Sequence, residues 1–134
     1  MKKDVGIKVI GWLHIIGAVL WLIVPLFGIK YAVPFNLRWG LPNVSEHAVI
    51  IVVNIFVIVV AYFYLKQTNL GFWLMVTESA IFGGISGGML IKYYNQPAYA
   101  GSFIVAVIAS VIILIYTLIK RENFNENAES KKPD

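Results

Sequence analysis

The sequence predicts an all-α membrane protein, folded as an antiparallel bundle of four transmembrane helices. Of its 134 residues, 59% are apolar and 13% are charged, whereas soluble domains carry about 25% charged residues. The apolar residues form four stretches of about 20 residues, the length that a helix needs to cross a hydrocarbon core of ~30 Å. Little of the chain is left for a soluble domain.

The charges that flank the apolar stretches place the spans and orient them. We predict helices over residues 9–29, 48–65, 70–91 and 100–119, and a disordered polar tail over 122–134. Lysines and arginines are more numerous near the chain ends and at Lys66 than at the opposite ends of the spans. The positive-inside rule therefore predicts a multi-pass plasma-membrane protein with both termini cytoplasmic, its basic ends beside anionic membrane lipid.

The first predicted helix is long enough to be retained as a span. Its apolar run exceeds the h-region of a signal peptide, and a lysine stands where a small-residue cleavage site is expected. Pro25 inside this helix leaves the carbonyl of Trp21 without its helical donor. The loop that follows contains Pro34, Gly40 and Pro42, so it cannot form one continuous helix. We expect it to lie at the outer interface and to cap the bundle.

The remaining helices have recognisable boundaries. Ser45 or Asn43 is a suitable N-cap for the second helix, and Glu46 suits the positive end of its dipole. Residues 67–69 form a short connection that predicts a hairpin of the second and third helices. The fourth span ends before the basic pair Lys120 and Arg121.

Glu78 is the only acidic residue inside the four apolar stretches. A carboxylate within a membrane span costs a few kcal/mol or more, so such residues face protein or water and often mark a pathway, a ligand site or a structural partner. Glu78 is therefore the first candidate for function.

A polar layer is predicted around Glu78. At 1.5 Å per residue, His14, Glu78, Ser110 and Asn54 lie about 9 to 18 Å from the cytoplasmic boundary, one on each helix. We expect His14 and Glu78 to form an ionisable pair, with Asn54 and Ser110 completing its hydrogen bonds, because a bilayer requires polar groups to be satisfied internally.

The third helix carries a second pattern, a series of small residues predicted to lie opposite Glu78. Its members are Ser79, Ala80, Gly83, Gly84, Gly87 and Gly88. Small residues four apart let helix backbones approach closely. They predict an oligomer, most simply a twofold dimer, unless they serve tight packing within one chain.

Two functional hypotheses follow. In the first, the protein is a proton-linked transporter or permeation protein for a cation or small amphipathic solute: Glu78 exchanges a proton, His14 relays it, and Asn54 and Ser110 line the route. An outer vestibule would contain His47, Arg38 and Trp39. The alternative is a purely structural role, in which a protonated Glu78 forms a hydrogen bond to a neighbouring helix and fixes the register of the bundle.

In the second hypothesis the chain is a non-catalytic accessory, chaperone or immunity-type subunit that binds a larger membrane protein. The small-residue series, the aromatic outer loop and the basic cytoplasmic tail would then carry the interaction. The sequence has no Gly-rich phosphate loop, HExxH helix or Gly-x-Ser-x-Gly elbow and no cysteine. We therefore expect no enzyme activity, no cofactor, no metal site and no nucleic-acid binding.

Overall fold

The computed structural model describes residues 4–29 and 33–124, and within them the chain is all-helical with no strand. The helices are α1 (Val5–Ile23, continued by a 3-10 turn at Val24–Phe27), α2 (Phe35–Arg38), α3 (Glu46–Leu65), α4 (Asn69–Tyr93) and α5 (Pro97–Ile119). By length and composition, α1 with its 3-10 turn, α3, α4 and α5 are each able to cross a membrane. The prediction of four apolar, membrane-length helices is confirmed.

The first helix starts earlier than the predicted span over 9–29, and its α-helical part also ends earlier. It starts at Val5 because Asp4 caps it: the carboxylate accepts a hydrogen bond of 2.9 Å from the backbone N–H of Gly6. The α-helical part ends at Ile23, just before Pro25, which has no N–H to donate to the preceding turn. The 3-10 turn then ends at Gly28, whose φ of 70° suits glycine.

The loop before α3 is tied to the start of that helix. Ser45 occupies the N-cap position, but its side chain makes no capping bond. Glu46 has a further role besides its place near the helix dipole, since its Oε1 accepts a 2.8 Å hydrogen bond from the N–H of Phe35. Asn36 adds a bond of 3.0 Å to the carbonyl of Val44. The predicted capping loop therefore contains a short helix, α2, fixed against α3.

The four long helices pack in the order α1, α3, α4, α5. The α3 and α4 backbones come so close at Gly71 that a Cβ there would collide with the carbonyl of Phe63. In the described part of the chain, α1 and α5 do not pack against each other along their length. They meet at one end, where Tyr116 reaches Asp4. A cleft therefore separates α1 from α5.

Apolar clusters close both ends of the bundle. We call the end that contains Asp4, the α3–α4 turn and Lys120 the terminal end, and the end that contains α2 the loop end. The terminal cluster consists of Ile7, Val60, Tyr64, Phe72, Met75 and Phe124. The loop end has two clusters, formed by Val33, Met89 and Phe103 and by Phe35, Val49 and Ile50.

The predicted start of the disordered tail, residue 122, is too early in the chain. Phe124 is fully buried, and its ring centroid lies 5.2 Å from that of Tyr64 and 5.6 Å from that of Phe72. An aromatic ring with two aromatic neighbours is stabilised by burial and by ring contacts, so residues 122–124 belong to the folded bundle. The rest of the predicted tail, 125–134, lies outside the described residues.

Candidate functional site

His14 and Glu78 face each other inside the bundle. The Nε2 atom of His14 lies 3.6 Å from Oε2 of Glu78, and the two side chains are 13% and 8% exposed. They come from α1 and α4, which are separated in the packing order by α3. The structure thus brings the two ionisable residues predicted from the sequence together as one pair.

The backbone fixes which nitrogen of His14 carries a proton. Its Nδ1 lies 2.8 Å from the carbonyl oxygen of Ile10. A carbonyl can only accept, so Nδ1 must be the donor. Nε2 is left facing Glu78, and a single proton between Nε2 and the carboxyl group makes the pair neutral overall, the form that a poorly solvated site favours.

The distance between the two groups has a chemical consequence. At 3.6 Å the contact is longer than a hydrogen bond, for which about 2.7 to 3.2 Å is usual. The two side chains therefore make a close polar contact that is not a hydrogen bond, and direct transfer of a proton between them requires an approach of roughly half an ångström. A ligand that enters between them can take the place of this contact.

The pair lies in the wall of a cavity of about 560 Å³, which we call the central cavity. Its polar lining comes from all four long helices and consists of His14, Asn54, Glu78, Ser79 and Ser110. The rest of the wall is mostly apolar and aromatic. Ligand sites in proteins combine this size range, about 300 to 1,000 Å³, with an apolar lining and a few polar groups.

Asn54 and Ser110 line the cavity but do not complete the hydrogen bonding of the pair. Asn54 donates a 2.7 Å bond from Nδ2 to the carbonyl of Ile50 in its own helix. Within residues 4–29 and 33–124, no hydrogen bond joins Asn54 or Ser110 to His14 or Glu78. The expectation on this point is wrong, because the amide of Asn54 reaches its own backbone instead. Both residues remain in place to contact a molecule in the cavity.

The central cavity opens sideways, between α1 and α5. Leu13 of α1 and Ile112 of α5 line it, and these side chains are 61% and 60% exposed. At the loop end it is covered by Phe35 and Trp39. At the terminal end Tyr116 forms part of its wall. The opening therefore lies on the face where the long helices present apolar side chains outward.

A cluster around Asp4 closes the terminal end. Its carboxylate accepts a 2.5 Å hydrogen bond from Tyr116 and lies 2.9 Å from Nζ of Lys120. These two bonds, the one from Tyr116 first, hold the pKa of Asp4 well below its usual range. Sequence reasoning missed this cluster, although an aspartate directly before an apolar run is a signal for a helix N-cap.

The residues of the predicted vestibule separate into two groups. Trp39 stacks on Phe82 with ring centroids 4.9 Å apart, and the guanidinium of Arg38 lies 5.1 Å from the ring centroid of Trp21. His47 is exposed and does not line the central cavity. Arg38 and Trp39 are therefore close to the central cavity, whereas His47 is not part of the same site.

The small-residue series of α4 is also divided. Ser79 is buried beside Glu78 in the cavity wall rather than opposite it, and its hydroxyl has no hydrogen-bond partner among the described residues. Gly83 faces α5, where an added Cβ would lie 3.0 Å from Cβ of Ser110. The remaining members are exposed or half-buried, namely Ala80, Gly84, Gly87 and Gly88. Because α3 and α5 both pack against α4, the buried surface of α4 is wider than a single stripe of residues.

No protein-family model, no curated protein and no solved structure matches this chain. Among the described residues there is also no group of three or more His, Cys, Asp or Glu side chains that could hold a metal ion. The central cavity and its ionisable pair are therefore the features from which function can be inferred.

Proposed function

We propose that this protein is a proton-linked transporter, in the plasma membrane, of a small amphipathic solute that carries an ammonium group. Its four long helices would cross the bilayer as an antiparallel bundle with both termini in the cytoplasm, as the distribution of lysine and arginine favours. The observation that carries the proposal is the His14–Glu78 pair in the wall of a cavity that opens between α1 and α5.

Charge balance links the cation to the proton. The pair holds one proton when it is neutral, and a protonated amine that binds the carboxylate of Glu78 would add a second positive charge to a poorly solvated site. Such an excess charge is costly, so the proton leaves from Nε2 of His14 as the amine arrives. One cation enters, one proton departs, and the total charge of the site is unchanged.

The cavity wall suits the rest of such a molecule. Asn54 and Ser110 supply polar groups beside the pair, while Trp21 and Phe82 supply apolar surface. The sideways opening next to Leu13 would admit a molecule that partitions into the membrane. An aromatic wall also attracts an ammonium group through the ring quadrupole.

The proton released on binding is the direct test. Purified protein in weakly buffered detergent solution is titrated with alkylamines, and the pH change is recorded for the parent, Glu78→Gln and Glu122→Gln. Glu122 is an exposed acid after α5, so its variant controls for the loss of one carboxylate. The parent and the control release up to one proton per amine bound, and Glu78→Gln releases none. Equal release from Glu78→Gln would overturn the proposal.

One observation favours the accessory role as a second candidate. Gly84 and Gly88 are exposed on α4, with no other atom within 4 Å of an added Cβ, so a helix of a second copy or of a larger membrane protein could approach closely there. Gly84→Ile would then abolish copurification of that partner or shift the protein from dimer to monomer. An unchanged assembly in Gly84→Ile would exclude this face as the contact.

A further inference from the structure

A second cavity adjoins the central cavity at the loop end. Its volume is about 490 Å³, and among the described residues that line it Arg38 is the one charged side chain. The two cavities share five lining residues, which are Trp21, Phe35, Trp39, Phe82 and Ala109. The carboxyl group of Glu78 and the guanidinium of Arg38 therefore belong to two adjoining cavities that share one aromatic wall.

Arg38 is held in this position by its surroundings. It belongs to α2, which the bond between Glu46 and the backbone of Phe35 fixes to α3. Its guanidinium lies over the ring of Trp21 at 5.1 Å, a contact typical of cation–π pairs. Arginine stays charged and has five N–H donors in a planar fork, so it can bind a carboxylate or phosphate beside the contacts that it already makes.

Phe82 of α4 connects the surroundings of Glu78 to those of Arg38. Phe82 lies four residues after Glu78, which is about 6 Å of helical rise, and it stacks on Trp39, the residue next to Arg38. An elongated molecule that occupies both cavities can therefore extend from Glu78 along the aromatic wall toward Arg38.

We infer that the ligand is a zwitterionic amphipath, whose ammonium group binds Glu78, whose carboxylate or phosphate binds Arg38, and whose apolar body packs against Trp21 and Phe82. The ammonium half of this inference rests on the proposed function. The anionic half rests on the second cavity and on the charge of Arg38. A ligand with a second cationic group in place of the anion is disfavoured, because that group would face a guanidinium.

Ligands of equal chain length test the contacts with Glu78 and with Arg38 one at a time. An alkylamine, an alkyl carboxylate and an ω-amino carboxylate are titrated by calorimetry into the parent protein, Arg38→Gln, Arg38→Lys and Lys92→Gln. The parent binds the ω-amino carboxylate at least about tenfold more tightly than the alkylamine, the effect of one charge-assisted contact. In Arg38→Gln the ratio of these two affinities falls to about one, and in Arg38→Lys it is partly restored because a point charge remains. Lys92→Gln, an exposed change of equal charge at the loop end, keeps the ratio of the parent.

The outcomes distinguish this inference from the proposed function. The zwitterion inference is overturned if the parent protein binds the alkylamine more tightly than the ω-amino carboxylate, or if the preference for the ω-amino carboxylate persists in Arg38→Gln. In either case, proton release by the alkylamine still supports transport. Binding of the carboxylate that depends on Arg38, without proton release by any ligand, supports the anion subsite and overturns the proposed function. Repeating the titration in bilayer discs with a phospholipid whose headgroup carries an amine and a phosphate identifies the source: competition by that lipid assigns the site to a membrane lipid, and lack of competition to a water-soluble zwitterion.

Discussion

Tyr116 donates a 2.5 Å hydrogen bond to Asp4 and so joins the last part of α5 to the residue that caps α1. Lys120 adds an ionic contact of 2.9 Å to the same carboxylate. Since α1 and α5 do not pack along the rest of their described length, this cluster holds the two walls of the cleft together at the terminal end. The aspartate therefore combines a local role, helix capping, with a tertiary one.

The first prediction concerns the acid sensitivity of this cluster. Because the folded-state pKa of Asp4 lies well below its usual value, its stabilising contribution is complete above about pH 4, where an unfolded aspartate is ionised. It declines as the pH falls below that value toward the folded-state pKa. Asp4→Asn keeps a good N-cap residue but removes the charge, so we expect it to lower the free energy of unfolding at neutral pH by about 1 kcal/mol.

Unfolding of the detergent-solubilised protein by SDS at a series of pH values measures this effect. Asp4→Asn shows a weaker loss of stability between about pH 5 and pH 3 than the parent. Glu122→Gln, which removes an exposed carboxylate elsewhere at the terminal end, behaves like the parent. An unchanged pH profile in Asp4→Asn would show that the cluster does not stabilise the fold.

A second prediction concerns Tyr64 and Thr117, two fully buried residues of α3 and α5 joined by a 3.0 Å hydrogen bond. Tyr64→Phe leaves the threonine hydroxyl without this partner, and Thr117→Val leaves the phenol without it. Each change is expected to lower the free energy of unfolding by about 1 kcal/mol, near the values found for buried polar pairs in membrane proteins. The double variant loses less than the sum of the two, and additive losses in the double-mutant cycle would contradict a direct interaction.

Composition and periodicity predict the four long helices because their apolar length is a property of each segment alone. They also identify which side of a helix is polar, so His14 and Glu78 could be expected to meet. The partner of Asn54 could not be predicted, since its amide has a choice between a neighbouring helix and the carbonyl of Ile50 one turn away, and tertiary packing decides between them.

The open side of the bundle could not be predicted for a similar reason. Periodicity gives the direction of a face but not the helix that covers it, so the gap between α1 and α5 is invisible in the sequence. The aromatic wall also escaped prediction, because Phe35 and Trp39 come from a loop whose path is set by tertiary contacts, among them the hydrogen bond to Glu46 and the stacking of Trp39 on Phe82. Burial of Phe124 depends likewise on rings from α3 and α4 that only the fold brings near.

A third prediction uses two glycines of α4 as a matched pair. An added Cβ at Gly71 would collide with the backbone of Phe63, whereas at Gly84 it would meet no atom within 4 Å. Gly71→Ala is therefore expected to cost about 1 to 3 kcal/mol through separation of α3 from α4. Gly84→Ala is expected to be neutral or to stabilise by up to about 1 kcal/mol, because alanine is the better helix former. Thermal unfolding in detergent compares the two, and equal stability of both variants would contradict the close approach at Gly71.

The last prediction concerns the junction of the two cavities. Ala109 of α5 lines both of them, so the indole of Ala109→Trp would occupy space that the ligand needs. Val111, two residues further along, lines neither cavity and is 46% exposed; Val111→Trp therefore adds the same side chain to α5 away from the cleft. Calorimetric titration with an alkylamine is expected to show at least about tenfold weaker binding for Ala109→Trp, since a loss of about 1.4 kcal/mol is enough for that change, and parent-like binding for Val111→Trp. If both variants unfold at the temperature of the parent, the difference reports occupancy of the cleft, and parent-like binding by Ala109→Trp would place the ligand elsewhere.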